Sequence, residues 1–183
     1  MPDKIASEMK IVSTKELLKT KLFTVTDEVA FDPGGFEIHR SIVRHLGSAV
    51  MMAVDRDAKI LLVRQFRLPA EQELWELPAG RLDPGEDSLQ AAKRELREET
   101  GYDARKWEKL ASFWPSPGYV GEKMDIFLAQ DLTAGKQQLM DDERIEMQWF
   151  AATAVADMIR SGEIQDGKTL IGYYAWHDRQ TRP

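Results

Sequence analysis

The chain has 183 residues, 43% hydrophobic and 31% charged, with a formal net charge of −6 and no cysteine. That length suits one good-sized domain with at most a small appendage, in the balance of an ordinary soluble globular protein. The acidic charge argues against a nucleic-acid-coating protein, and the missing cysteines remove disulfides, thiolate metal sites and cysteine nucleophiles together.

A phosphorylated ligand remains compatible with this charge, because a bound metal ion inverts the local field. The opening MPDKIASEMK has no apolar core of a signal peptide, and no apolar run approaches a membrane span. The expected address is the cytoplasm, with no membrane partner.

Residues 11–43 are mostly strand-like. Leu22–Thr26 and Glu28–Phe31 are β-rich, Asp32-Pro33-Gly34-Gly35 is a turn signal, and Phe36–Val43 resumes the strand pattern. Such a hairpin or three-stranded flap is too small to own a core and must pack on something else. The main domain begins near Gly47. Ala49–Val54 and Lys59–Gln65 read as strands around a tight turn at Asp55–Asp57. Leu68–Glu73 reads as a loop, and Leu74–Leu77 as a short strand ended by Pro78.

A helix then follows the turn at Gly80. Asp87 caps it, with Gln90 three residues on, and Gly101 stands at its C′ position. Leu89, Ala92 and Leu96 form a narrow apolar stripe beside Glu95, Glu98 and Glu99, which are spaced i, i+3, i+4. Like charges at that spacing repel. Carboxylates concentrated this way suit a hard divalent cation such as Mg²⁺ or Mn²⁺.

Beyond the helix, Trp107–Trp114 and Met124–Ala129 read as strands, and Asp131–Gln138 as polar and turn-like. Leu139–Ile145 is a dense acidic loop, and Glu146–Phe150 a strand. Helices are expected at Ala154–Arg160 and Asp166–His177. Few helices among irregularly spaced strands exclude a doubly wound parallel sheet and predict a mixed sheet between helices.

The stretch Gly80, Glu86, Arg94-Glu95-Leu96, Glu98-Glu99, Gly101 and Tyr102 fills every position of the signature of the Nudix hydrolases. A solvated acidic helix would account for the glutamates alone. It does not account for Gly80, Glu86 and Gly101 standing in register with them. The resemblance implies an α/β fold, the Nudix α/β/α sandwich with a mixed sheet, plus an N-terminal antiparallel strand region. Two parts are expected: residues 1–45, a strand region for dimerisation, and 46–183, the hydrolase domain.

By the same resemblance Glu95 and Glu99 are principal metal ligands, Glu98 assists them, and the Ala79 carbonyl completes the set. Arg94 points to another helix face and pairs with Glu86, orienting the ligands from behind. Gly80 and Gly101 are structural. Glu98 and Glu143 are the expected catalytic residues. Glu143 is the favoured general base, since its place two residues before Ile145 resembles the pattern of one branch of the family. Asp141, Asp142 and Glu146 stay open as alternatives.

Three features resemble the ADP-ribose pyrophosphatase and nucleoside diphosphate sugar branch. One is Ser116-Pro117-Gly118 followed by Glu122, which would contact a ribose hydroxyl or a metal-bound water. Another is WELPAG, Trp75 to Gly80, preceded by Gln65-Phe66-Arg67. Arg67 is a candidate phosphate clamp, since a guanidinium matches phosphate oxygens bidentately. Trp75 reads as a sheet residue before a base-stacking one. The third is the N-terminal strand region, which in this branch commonly builds a homodimer. Arg40 and Arg44 would lend it positive charge for the diphosphate, although strand arginines are more often simply solvated.

The implied reaction is Mg²⁺-dependent hydrolysis of ADP-ribose to AMP and ribose 5-phosphate. The alternatives are hydrolysis of another nucleoside diphosphate sugar such as GDP-mannose, and a noncatalytic nucleotide-sensing Nudix module. No nucleic-acid partner is expected.

Overall fold

The computed structural model describes residues 9–139 and 144–181. Contacts divide the chain into two compact units. One runs to Gly47 and takes in Trp114–Lys123, and the other comprises Ser48–Phe113 and the chain from Met124 onward.

The first unit is an antiparallel sheet of β1 (Lys10–Lys19), β2 (Thr24–Phe31) and β3 (Glu37–Arg44), in that order. The β2–β3 turn is fixed by Asp32, whose Oδ1 accepts from the Phe36 N–H, and by Gly35 at φ 86°. On β1 every residue is exposed, and Ile11, Val12, Leu17 and Leu18 are each more than half accessible. The segment Trp114–Lys123 joins this unit through the end of β3: Val43 N–H donates to the Tyr119 carbonyl, and Gly121 N–H to the Val43 carbonyl.

The second unit holds two sheets and three helices. Its strands are β4 (Ser48–Ala53), β5 (Lys59–Arg67), β6 (Gln72–Glu76), β7 (Ala79–Arg81), β8 (Tyr102–Phe113), β9 (Met124–Ala134) and β10 (Glu146–Ala151). Its helices are α1 (Ser88–Thr100), α2 (Ala152–Ser161) and α3 (Gly167–Thr181). The order β7-β4-β9-β8 is mixed, with β4 parallel to β9 and the other pairs antiparallel. The order β10-β5-β6 is antiparallel.

Strand β4 shows why this is a sandwich. All six of its residues are buried, so both of its faces are covered. Ala49, Met51 and Ala53 pack in one cluster with Ala91, Ala92 and Leu96 of α1. Val50 and Met52 pack in the other with Val155 and Met158 of α2 and Tyr173 and Trp176 of α3. Strand β9 alternates the same way, Phe127 and Ala129 toward α1, Ile126 and Leu128 toward α2 and α3. Period-2 side chains on a shared strand therefore place α1 in one layer and α2 and α3 in the other.

Two local expectations are corrected. Asp131–Ala134 continues β9, because Leu132, Thr133 and Ala134 pair with Ala104, Asp103 and Tyr102 of β8. The polar pattern there is that of an edge segment, not a turn. The Leu68–Glu73 loop is shorter than expected: a 3₁₀ turn spans Leu68–Ala70, Glu71 takes φ 55°, and β6 then pairs back from Gln72 opposite Arg67. Among the described residues no helix is long and apolar enough to cross a membrane.

Candidate active site

The acidic helix is held at both ends. The Asp87 side chain accepts from the N–H groups of Leu89 and Gln90, and Gly101 closes the C-terminus at φ 75°. The last carbonyls are satisfied by a distant segment. Gln138 N–H donates to the Glu98 carbonyl at 2.9 Å, Gln137 Nε2 to the Glu99 carbonyl at 2.6 Å, and Gly135 N–H to the Gly101 carbonyl at 2.6 Å. The approach is so close that a Cβ at Gly101 would lie 2.8 Å from the Gln137 nitrogen.

Arg94 stands at the centre of the acidic face. Its Nε and Nη2 donate to the two Glu86 oxygens at 3.1 and 2.9 Å, and its Nη1 donates to Glu95 at 2.7 Å and Glu98 at 3.1 Å. Nη2 also reaches the Arg81 carbonyl. The expectation that Arg94 points away is corrected: one guanidinium tethers Glu86 in the turn and also offsets the repulsion between Glu95 and Glu98. Its hydrogen bonds to Glu86 first, and to Glu95 next, raise Arg94 above its ordinary range. They hold Glu86 below the usual carboxylate range.

Glu99 is buried, and its Oε2 accepts from the Ala79 N–H at 3.1 Å. Glu95 lies flat against Gly80. A Cβ there would sit 1.8 Å from the Glu95 carboxyl carbon and 2.2 Å from each oxygen. Ala79, Gly80, Glu86, Arg94, Glu95, Glu98 and Glu99 are thus brought together on β7 and α1. Their side-chain donors are all hard carboxylate oxygens, which fits Mg²⁺ or Mn²⁺. With Arg94 among them, no three carboxylate or histidine side chains meet as metal ligands do among the described residues.

Arg67, on β5, is committed to Glu76. Its Nε and Nη2 donate at 2.8 and 2.6 Å to the two oxygens of that fully buried carboxylate. The Glu76 bonds push the Arg67 pKa up against the opposing effect of burial, and the charge of Glu99 adds to the rise. Burial pushes Glu76 up, but the hydrogen bonds from Arg67 and the charge of Lys168 outweigh it and leave Glu76 below its ordinary value. Trp75 is a sheet residue, edge-on to Phe150 with centroids 5.0 Å apart.

Of the other named residues, Arg40, Arg44 and Glu122 lie in the first unit and Glu146 in the second. Arg44 pairs through Nε and Nη2 with the buried Glu28. Arg40 is exposed and donates from Nη1 to the His39 carbonyl. Glu122 lies 3.5 Å from His45 Nδ1. Glu146, at the start of β10, accepts from Arg64 at 2.8 Å. Asp141, Asp142 and Glu143 lie outside the described residues. Sequence reasoning missed Glu76, Lys168, Thr169 and Gln137. The available signal was a glutamate inside the apolar run Leu74-Trp75-Glu76-Leu77, since a charge in such a place needs buried partners.

A mixed-sheet α/β/α unit with a carboxylate helix laid against a glycine strand defines a class. The NUDIX domain family matches residues 43–170, and the chain belongs to that family of hydrolases. An ADP-ribose pyrophosphatase of Bacillus subtilis (strain 168) is 36% identical over 164 residues, covering 88% of this chain and 89% of that protein. A GDP-mannose pyrophosphatase of Salmonella paratyphi B (strain ATCC BAA-1250 / SPB7) is 33% identical over 134 residues, 68% of this chain and 70% of that one. The solved structure of an ADP compounds hydrolase shares the fold, with a TM-score of 0.79 at 23% identity, covering 96% of this chain and 97% of that one.

Proposed function

We propose that this chain hydrolyses the diphosphate bridge of ADP-ribose, with Mg²⁺ or in its place Mn²⁺, to give AMP and ribose 5-phosphate. The observation that carries this reading is the complete signature folded onto one patch, with Glu86, Glu95 and Glu98 around Arg94 and Glu99 on the Ala79 N–H. The pyrophosphatase named for ADP-ribose, similar over 88% of this chain, supports the substrate.

In this reading Glu95, Glu98, Glu99 and the Ala79 carbonyl hold the metal. A divalent ion there would neutralise charge on the diphosphate oxygens as the bond breaks. Arg94 and Glu86 keep the carboxylates oriented. Arg67 offers the diphosphate Nη1, which has no hydrogen-bond partner among the described residues. Arg40 and Arg44 add positive charge, and Glu122 meets a ribose hydroxyl. Glu143 takes the proton of the attacking water, with Asp141, Asp142 and Glu146 as alternatives. The protein acts as a cytoplasmic homodimer, with residues 1–45 as the dimerisation region and 46–183 as the hydrolase domain.

A second reading, GDP-mannose as substrate, is favoured by the similar pyrophosphatase of that name. Purified protein with Mg²⁺ is to be assayed against ADP-ribose, GDP-mannose, UDP-glucose and dinucleotide polyphosphates. ADP-ribose is expected to turn over fastest, and the reaction to stop on chelation. Faster turnover of GDP-mannose reverses the choice of substrate. Tight nucleotide binding without turnover points instead to a sensing module.

A further inference from the structure

Glu76 is the most deeply buried carboxylate among the described residues, 1% exposed, and it has two cations. Arg67 holds both of its oxygens from one side. Lys168 Nζ donates to Oε2 at 2.5 Å from the other, and is itself 8% exposed. Asp166 meets Lys168 at 3.0 Å, so the four side chains carry two positive and two negative charges.

The same turn of α3 grips the residue that follows β6. The fully buried Thr169 hydroxyl accepts from the Leu77 N–H at 2.8 Å and donates to Asp166 at 2.5 Å. Beyond Leu77, Met51 N–H donates to the Pro78 carbonyl, and Ala79 N–H donates to Glu99. Residues 76–80 are therefore fastened by α3 at one end and by the carboxylate helix at the other.

A buried carboxylate with one counterion holds that counterion tightly, whereas one shared between two cations holds each less tightly. If Lys168 were absent, Arg67 alone would neutralise Glu76. Its guanidinium, already in contact with both Glu76 oxygens at 2.8 and 2.6 Å, would then have its positive field cancelled more fully by that carboxylate, leaving less of it for an anion outside. We infer that Lys168 is a positioning residue of the reaction: by sharing Glu76 with Arg67 it keeps the Arg67 guanidinium disposed to receive the substrate diphosphate. The inference rests on the proposed role of Arg67.

The test is a double-mutant cycle in the full-length protein, reading KM and kcat for ADP-ribose with Mg²⁺ and, without metal, the calorimetric Kd for ADP-ribose. Lys168→Met removes the charge. Lys168→Gln does so while keeping a donor, should the methionine variant fail to fold. Either change is expected to raise KM and Kd about tenfold with kcat little altered. In an Arg67→Ala background the same change is expected to raise neither further.

An equal rise in both backgrounds shows a merely structural lysine and overturns the inference, as does no rise in either, and both results leave the proposed activity standing. If Arg67→Ala itself leaves KM and Kd unchanged, Arg67 does not meet the diphosphate, and the inference falls with that assignment.

Discussion

Gly80 and Glu95 are in contact with no room for a side chain between them: a Cβ on residue 80 would lie 1.8 Å from the Glu95 carboxyl carbon. The glycine of the signature is there for space, since its backbone is not among the glycines at positive φ. Gly80→Ala must displace Glu95. We expect turnover to fall by about 10²-fold or more, since displacements of an ångström near a reacting centre cost that much. Far-ultraviolet circular dichroism should be unchanged. A Gly80→Ala protein with near-normal kcat would show that Glu95 acts from another position.

Arg94 supplies, without metal, the positive charge that Glu86, Glu95 and Glu98 require. Arg94→Gln should destabilise the metal-free protein by about 2 kcal/mol, the scale of hydrogen bonds to charged groups. Added Mg²⁺ should restore part of that loss, because an ion bound to the native state stabilises it by mass action. Thermal melts with and without Mg²⁺ check this: the Mg²⁺-induced rise in Tm should be larger in Arg94→Gln than in the parent. Arg94→Lys should resemble Arg94→Gln, since an ammonium cannot span three carboxylates as a planar guanidinium does.

The pKa of Glu76 lies below its ordinary value of 4.5 in the folded protein. A carboxylate so shifted contributes stability that is fully present above pH 4.5 and is lost as pH falls through the folded value. Glu76→Gln should remove this part of the acid dependence. It should also cost about 3 kcal/mol at neutral pH, because Lys168 loses its deepest partner. Urea titrations from pH 3 to 7 check both effects. An unchanged slope below pH 4.5 would sink the assignment.

Strand β1 offers a long exposed edge with Ile11, Val12, Leu17 and Leu18 all more than half accessible. Such an edge is a pairing hazard in a monomer and a suitable surface for a second copy. Val12→Lys with Leu18→Lys should convert the expected dimer to a monomer of unchanged secondary structure, read by light scattering. A monomeric parent protein would remove this edge as an explanation of assembly.

The carboxylate helix was legible in the sequence because its information is local. Asp87, the Leu89-Ala92-Leu96 stripe and Gly101 mark its ends and face within fifteen residues. Strands β4 and β9 were legible as apolar runs. The contacts that brace the site were not legible, because they join distant residues: Glu76 and Lys168 are 92 positions apart, and Gln137 reaches Glu99 across 38. The tail of β9 was misread for a related reason. Asp131-Leu132-Thr133-Ala134 alternates polar and apolar residues over only four positions before the polar run Gly135-Lys136-Gln137-Gln138, and pairing with β8 decides its conformation. Arg94 shows a third limit. The pairing with Glu86 was legible from the signature, whereas the bonds to Glu95 and Glu98 depend on a rotamer that spacing does not fix.

Strand β4 carries two adjacent methionines, Met51 toward the α1 layer and Met52 toward the α2 and α3 layer, both fully buried. An unbranched thioether adapts to irregular gaps more readily than a branched side chain. Each layer therefore has its own compliant filler at the strand they share. A substitution in the layer that carries Lys168 can therefore be taken up by Met52 on its own side of β4, with less disturbance to the side that carries the glutamates.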